Sequence, residues 1–497
     1  MYTFAPMRIG TFILLGVVLL FAACRKEQQI TTDPAAKLSF SKDTVIFDTV
    51  FTTVGSATRS FKIYNRNDQA VEIDRIALAG GNNSKFRLNI NGTPYNELNN
   101  IVLDGGDSIY VFAEVTIDPN NDNNPLILED SVICNTNGNQ QSVILEAWGQ
   151  DAYFHYPDTD LTDSEGNVIL RYSIIDCNDV WLDDKPHVIY GFAVVDTDCQ
   201  LDITAGTNVH LHDQAVLWVF NGGTLKIRGQ EANHVLIQGD RLEPEFEEEP
   251  GQWGFIWLSS GSRDNEIEYA TIKNGTVGLR VDTVPGVGQR NLTIRNSIIR
   301  NMASVGILGQ GTDLLAQNVE IGNCGIHNVV CQIGGRYRFE HCTMSAYWVG
   351  GSRGTPAVLL NNWYEDINGN IIPRDLEEAY FGNCIIYGNN TNELGFDRDD
   401  DRQFEYFFEH SIIRLNQNDY ANQPWIDFSD PTQFDQISWN VDPKFVDPFN
   451  GDNQLDTLSG AQSIAKLSLS QQIPFDLLGN PRLNDIGPDL GAYERQE

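Results

Sequence analysis

Six segments of this chain, beginning at Ile267, Ile294, Ala316, Phe339, Phe381 and Phe408, align in matched columns. Two residues into each stand Tyr269, Asn296, Asn318, His341, Asn383 and His410, followed by Ala270, Ser297, Val319, Cys342, Cys384 and Ser411. Two further on lie Ile272, Ile299, Ile321, Met344, Ile386 and Ile413. Successive segments start 27, 22, 23, 42 and 27 residues apart, and a repeat in the twenties means a solenoid of stacked coils. On a straight strand Ile294 and Ser297 point to opposite faces, whereas Ser297 and Ile299 share one, so the chain must bend near Asn296. Asparagine tolerates the left-handed conformation of such a bend, and a column of asparagines can hydrogen-bond along the stack. No ten-residue helical stretch separates the strands, which excludes a leucine-rich or other helix-containing solenoid.

Upstream of the repeat, Leu201 to Gly239 reads as short apolar strands punctuated by glycine. Together with the asparagine column and the passage Pro250 to Gly275, this resembles right-handed parallel β-helix proteins of the pectate-lyase type, over residues 185–440. The segments Val441 to Leu455 and Asp476 to Glu494 are similar to the closing part of exported bacterial β-helix proteins. The Ser-Pro-Ala-Ile-Asp usual between those blocks is replaced by Ala461-Gln462-Ser463-Ile464-Ala465. Residues 441–497 are therefore expected to cap the exposed last coil.

At the other end Arg8 precedes an apolar run from Ile9 to Ala23, ended by Cys24, Arg25 and Lys26. This is the pattern of a signal peptide over residues 1–23, too short to span a bilayer well. Phe21-Ala22-Ala23-Cys24 resembles the lipobox of bacterial lipoproteins, which implies acylation of Cys24. With no aspartate after that cysteine, the resemblance implies outer-membrane delivery and leaves the face open. A tether over 24–36 leads into residues 37–150, where short alternating strands and turns such as Asp104-Gly105-Gly106-Asp107 predict a small β-sandwich. That stretch resembles the immunoglobulin-like modules near the anchor of other surface lipoproteins. Residues 151–184 are expected to be a connector.

The chain carries 33 basic and 68 acidic residues, a net charge of −35, which excludes a nucleic-acid partner because phosphate recognition needs a basic face. Of eight cysteines, Cys24 is the lipid acceptor; Cys177 and Cys199 are the expected disulfide in an oxidising compartment, and Cys134 has no obvious mate. No Cys-x-x-Cys or His-Glu-x-x-His motif supports a zinc site.

Polygalacturonase-like motifs are absent, and Trp425-Ile426-Asp427 is followed by Phe428 where pectate lyases carry histidine. The candidate site comes from the long spacings. Extra residues at 349–376 and 390–404 leave consecutive coils at one turn, which brings Trp363, Tyr364 and Asp366 beside Asp397, Arg398, Asp399, Asp400, Asp401 and Arg402. Trp363 or Tyr364 could stack on a sugar face, and Asp397, Asp399, Asp400 and Asp401 are candidate calcium ligands. His341 and His410 occupy the ladder column as structural residues, and His210 and His212 alternate on a strand. Cys342 and Cys384 pack inward, Phe339, Phe381 and Phe408 form a core stack, and the acidic run Glu245 to Glu249 is a solvated loop. The expected function is a cell-envelope lipoprotein that binds a glycan or another surface component without catalysis. The alternative is a polysaccharide lyase or glycoside hydrolase with its site in the same loops.

Overall fold

The computed structural model describes residues 29–51, 55–117, 126–283, 289–484 and 486–495; Cys24 and the signal segment lie outside them. The chain divides into two compact units, Met1–Asp151 and Ala152–Glu497.

Unit 1 is a sandwich of two sheets. One orders its strands Ser39–Phe40, Arg59–Tyr64, Ser108–Val115, Phe86–Ile90; the other orders Thr44–Phe51, Asn139–Gln150, Leu126–Thr136, Val71–Leu78, Glu97–Leu103. Alternation along each strand sorts the side chains. Phe61, Ile63, Val111 and Ala113 from the first sheet share one buried core with Ile73, Val132, Val143 and Leu145 from the second.

Unit 2 is a parallel β-helix whose strands pair across coils; from Val168–Ile174 to Asn265–Glu268 each pairs with the strand three further along the chain, and in the later coils longer strands shorten that interval. Connections between parallel strands take the right-handed hand because of strand twist. One inward row runs His187, Val209, Ile237, Ile272, Ile299, Ile321, Met344, Ile386, Ile413 and Trp439 in continuous parallel register. A second row ends in stacked phenylalanines, with centroids of Phe339 and Phe381, and of Phe381 and Phe408, 4.8 Å apart, and of Phe408 and Phe434 5.7 Å apart. That separation is close to the strand spacing of a sheet, so each ring sits over the ring of the coil below.

The six residues of the bend column all adopt positive φ, from 43° at His410 to 59° at Asn318. Asn318 Nδ2 donates to Asn296 Oδ1 at 2.8 Å, and Asn383 Nδ2 lies 2.9 Å from His341 Nε2, so a ring nitrogen takes up the ladder bond. A second left-handed column that the repeat alignment did not reveal, Asn274, Asn301 and Asn323, lies one strand further on.

Two expected boundaries change. The segment 151–184 is not a connector: Tyr153–His155, Val168–Ile174 and Asp179–Trp181 already pair in parallel with later strands. Its apolar residues Val168, Ile169, Val180 and Leu182 face outward, so its parity hides the coil. Cys177 and Cys199 stand one coil apart and are joined by a disulfide, with a Cα–Cα distance of 4.8 Å.

The closing segment 441–497 does not simply lid the last coil; it runs back along the bend column. His410 Nδ1 meets Ile464 O at 3.1 Å, Lys466 N donates to Asn383 Oδ1 at 2.6 Å, and His341 Nδ1 meets Gly491 O at 3.2 Å. The ladder leaves ring nitrogens and amide oxygens along the edge, and a buried edge needs partners for them.

Candidate functional site

The insertion after the Met344 strand is smaller than its spacing suggests. Within 349–376, Val358–Asn361 is an ordinary coil strand, and within 390–404, Leu394–Asp397 is the strand stacked on it, pairing Asn361 with Asp397 in register. What projects is a hairpin, Trp363–Glu365 against Ile371–Pro373, together with the turn that follows Asp397.

These two features meet. Trp363 Nε1 donates to Asp397 Oδ1 at 3.1 Å, and Asn361 Nδ2 donates to Asp397 Oδ2 at 2.9 Å. Asn361 Oδ1 in turn accepts from Trp363 N at 3.1 Å. Asn362, fully buried, ties the second turn down: its Oδ1 accepts from Asp399 N at 2.7 Å and its Nδ2 donates to Asp399 O at 3.0 Å. The half-buried Trp363 is thus held at its indole by Asp397 and at its backbone by Asn361. Asn361 and Asn362 organise the site, and the sequence reading passed over them; the doublet directly before Trp363 was the available signal, while Trp425 was read only as part of an incomplete lyase motif.

The other candidates are distributed differently. Asp366 turns into its own hairpin loop, accepting from Asn368 N, Asn370 N and Asn370 Nδ2; the Asn370 amide, aided by those backbone groups, holds its carboxyl below the usual range. Arg374 lies over the Tyr364 ring at 5.8 Å. Arg398 lies over the Trp425 ring at 5.0 Å, with its Nε 3.1 Å from Asp400 Oδ1. Arg402 reaches Asp375 at 4.0 Å, and Asp399 Oδ1 accepts from Asp401 N at 2.9 Å. Among the described residues no three histidine, cysteine or carboxylate side chains are gathered in a metal-binding arrangement; the carboxylates of Asp397, Asp399 and Asp400 each meet a different partner.

Outside the ridge, His341 is fully buried, with both ring nitrogens engaged by Gly491 O and Ser470 Oγ, and burial keeps its pKa well below the ordinary value. His212 pairs with Asp240 at 2.7 Å. The acidic run is more than a solvated loop: Glu248 sits 3.1 Å from Lys273 and 3.0 Å from Arg300, fastening the run to the coils. Cys342 and Cys384 are buried free thiols.

No family model matches the chain, and no curated protein does. Among solved structures, the chain is similar to the catalytic unit of a GH87 alpha-1,3-glucanase from Streptomyces thermodiastaticus, at 9% identity over 76% of this chain and 89% of that one, TM-score 0.25. A PapD-like domain of human CEP192 aligns at 12% identity with 25% of this chain and 91% of that one, TM-score 0.17. The VesB protease of Vibrio cholerae aligns at 13% identity over 24% of this chain, TM-score 0.17, and the match spans about a third (33%) of that protease.

Proposed function

We propose that this chain is a lipoprotein of the bacterial outer membrane, anchored through Cys24, whose β-helix binds a glycan at the Trp363–Asp397 ridge without cleaving it. Its sandwich is the immunoglobulin-like module of the anchor-proximal end. The single observation that carries the binding reading is the double anchoring of Asp397. One oxygen fixes the indole and the other accepts from Asn361, so this carboxylate orients an aromatic platform. A sugar ring can stack on such a platform, with polar groups at its rim reading hydroxyls. General acid–base cleavage would instead place two carboxyls within reach of the scissile bond, whereas Asp366 and Asp397 each carry fixed donors on both oxygens, which suits an orienting role.

The test is a glycan array probed with the full chain, with and without calcium, read alongside assays for reducing ends and unsaturated products. Binding without product release, lost about tenfold in Trp363→Ala and Asp397→Ala, supports the reading. Product release abolished by those same substitutions would replace it with a lyase or hydrolase. Incorporation of labelled palmitate that persists in Cys24→Ala would refute the anchor.

A further inference from the structure

We infer that the sandwich carries a second, separate glycan site, on the outer face of its four-stranded sheet, that takes a neutral oligosaccharide. This face holds a concavity of about 750 Å³, within the range of small-ligand sites. Its floor is the outer face of two paired strands, where Phe112 stands opposite Asn89 in antiparallel register. Its wall is the turn after Ile90, which projects Tyr95.

Two aromatic rings line the concavity in the open: Tyr95 is 62% exposed and Phe112 37%. Tyr110 continues the row, stacked on Phe112 at a centroid distance of 5.7 Å. The wall is braced. Ile90 and Thr93 exchange backbone hydrogen bonds across a tight turn in which Asn91 and Gly92 take φ of 50° and 85°, and Asn96 Oδ1 accepts from Leu88 N at 3.0 Å. Tyr95 is therefore presented by a fixed loop.

Amides supply the polar part of the lining, from Asn82, Asn89 and Asn96. Asn89 Oδ1 is buried at the floor with no donor among the described residues; amide torsions are broad, and a small rotation turns this acceptor toward an incoming hydroxyl. The charges in the lining are Arg87 and Glu114, direct cross-strand partners of opposite sign. On a chain of net charge −35, a locally balanced pocket of aromatic faces and amides suits hydroxyl-rich neutral sugar and gives an anionic one nothing to offset the surrounding field.

This site does not rest on the ridge reading, and the experiment keeps the two apart. Calorimetric titrations of the full chain carrying Trp363→Ala would use cellohexaose, laminarihexaose and mannohexaose as neutral probes and hexagalacturonate as the acidic one. The expected result is binding of at least one neutral hexamer, weakened about tenfold or more by Tyr95→Ala or Phe112→Ala and kept by Tyr95→Phe. Melting temperatures unchanged by the Tyr95 variants show that folding is intact. No binding by any neutral hexamer, binding of hexagalacturonate alone, or an affinity indifferent to Tyr95→Ala overturns the proposal. Failure of the ridge would appear separately, as equal affinity of the Tyr95→Ala chain with and without Trp363→Ala.

Discussion

Arg482 Nη2 donates to Asn318 Oδ1 at 2.8 Å across 164 residues of chain, so that the closing segment satisfies an amide of the asparagine ladder in the middle of the solenoid. The guanidinium is wholly buried, 3.3 Å from Glu494 and 3.0 Å from Gly491 O. The β-helix thus depends on its last residues for the polar atoms of its own bend.

From this follows the first prediction. Arg482→Met removes the cation and leaves Glu494 and Asn318 buried with one partner fewer, a cost of about 3–5 kcal/mol. Urea unfolding should show the loss, and Glu494→Gln on the same background should recover part of it. A loss confined to a few tenths of a kcal/mol would mean that the closing segment peels away freely.

The second prediction concerns pH. His155 Nε2 and His187 Nδ1 lie 3.1 Å apart, with Trp181 stacked on both. Burial pushes His155 from 6.5 down to about 4, and burial with the neighbouring His155 charge pushes His187 down to about 3. The unfolded chain takes up protons below about 6.5 and these folded rings do not. Stability from this pair is therefore full above that pH and falls as pH drops toward 4, by at most about 1.4 kcal/mol per pH unit per ring. Urea midpoints at pH 7 and pH 5 should differ less in His155→Phe, which keeps the stack. Equal differences in both proteins would count against it.

Third, Ile299 is fully buried between its register partners Ile272 and Ile321. Ile299→Asp should cost several kcal/mol, because a carboxylate there has no partner, whereas Ile299→Val should cost about 0.5–1.5 kcal/mol. Thermal melts of both variants check the ordering.

Fourth, the Cys177–Cys199 bridge closes a loop of sequence separation 22 and should contribute about 2–4 kcal/mol by restricting the unfolded chain. Replacing both cysteines by serine should raise amide exchange in the first coils and leave protection around Ile299 intact. Uniformly faster exchange along the whole solenoid would show instead that the bridge sets global stability.

The sequence by itself determined the solenoid, because a coil must place the same residue type at the same bend in every turn. The column from Tyr269 to His410 is legible in the repeat as a left-handed bend, and so are the burial of Ile299 and the phenylalanine stack. It also carried the pairing of the two long spacings, which rests on counting alone. Only the tertiary structure decided which residues there act together: parity cannot show that Asn361 and Asp397 stand in register, or that Asp366 folds into its own turn instead of facing the ridge. It also decided the course of the closing segment. Arg482 and Asn318 carry no shared pattern, since their bond is a single long-range contact and repetition reports only what recurs. The early coils were hidden for the converse reason, as their outward apolar residues break the alternation by which a buried strand is recognised.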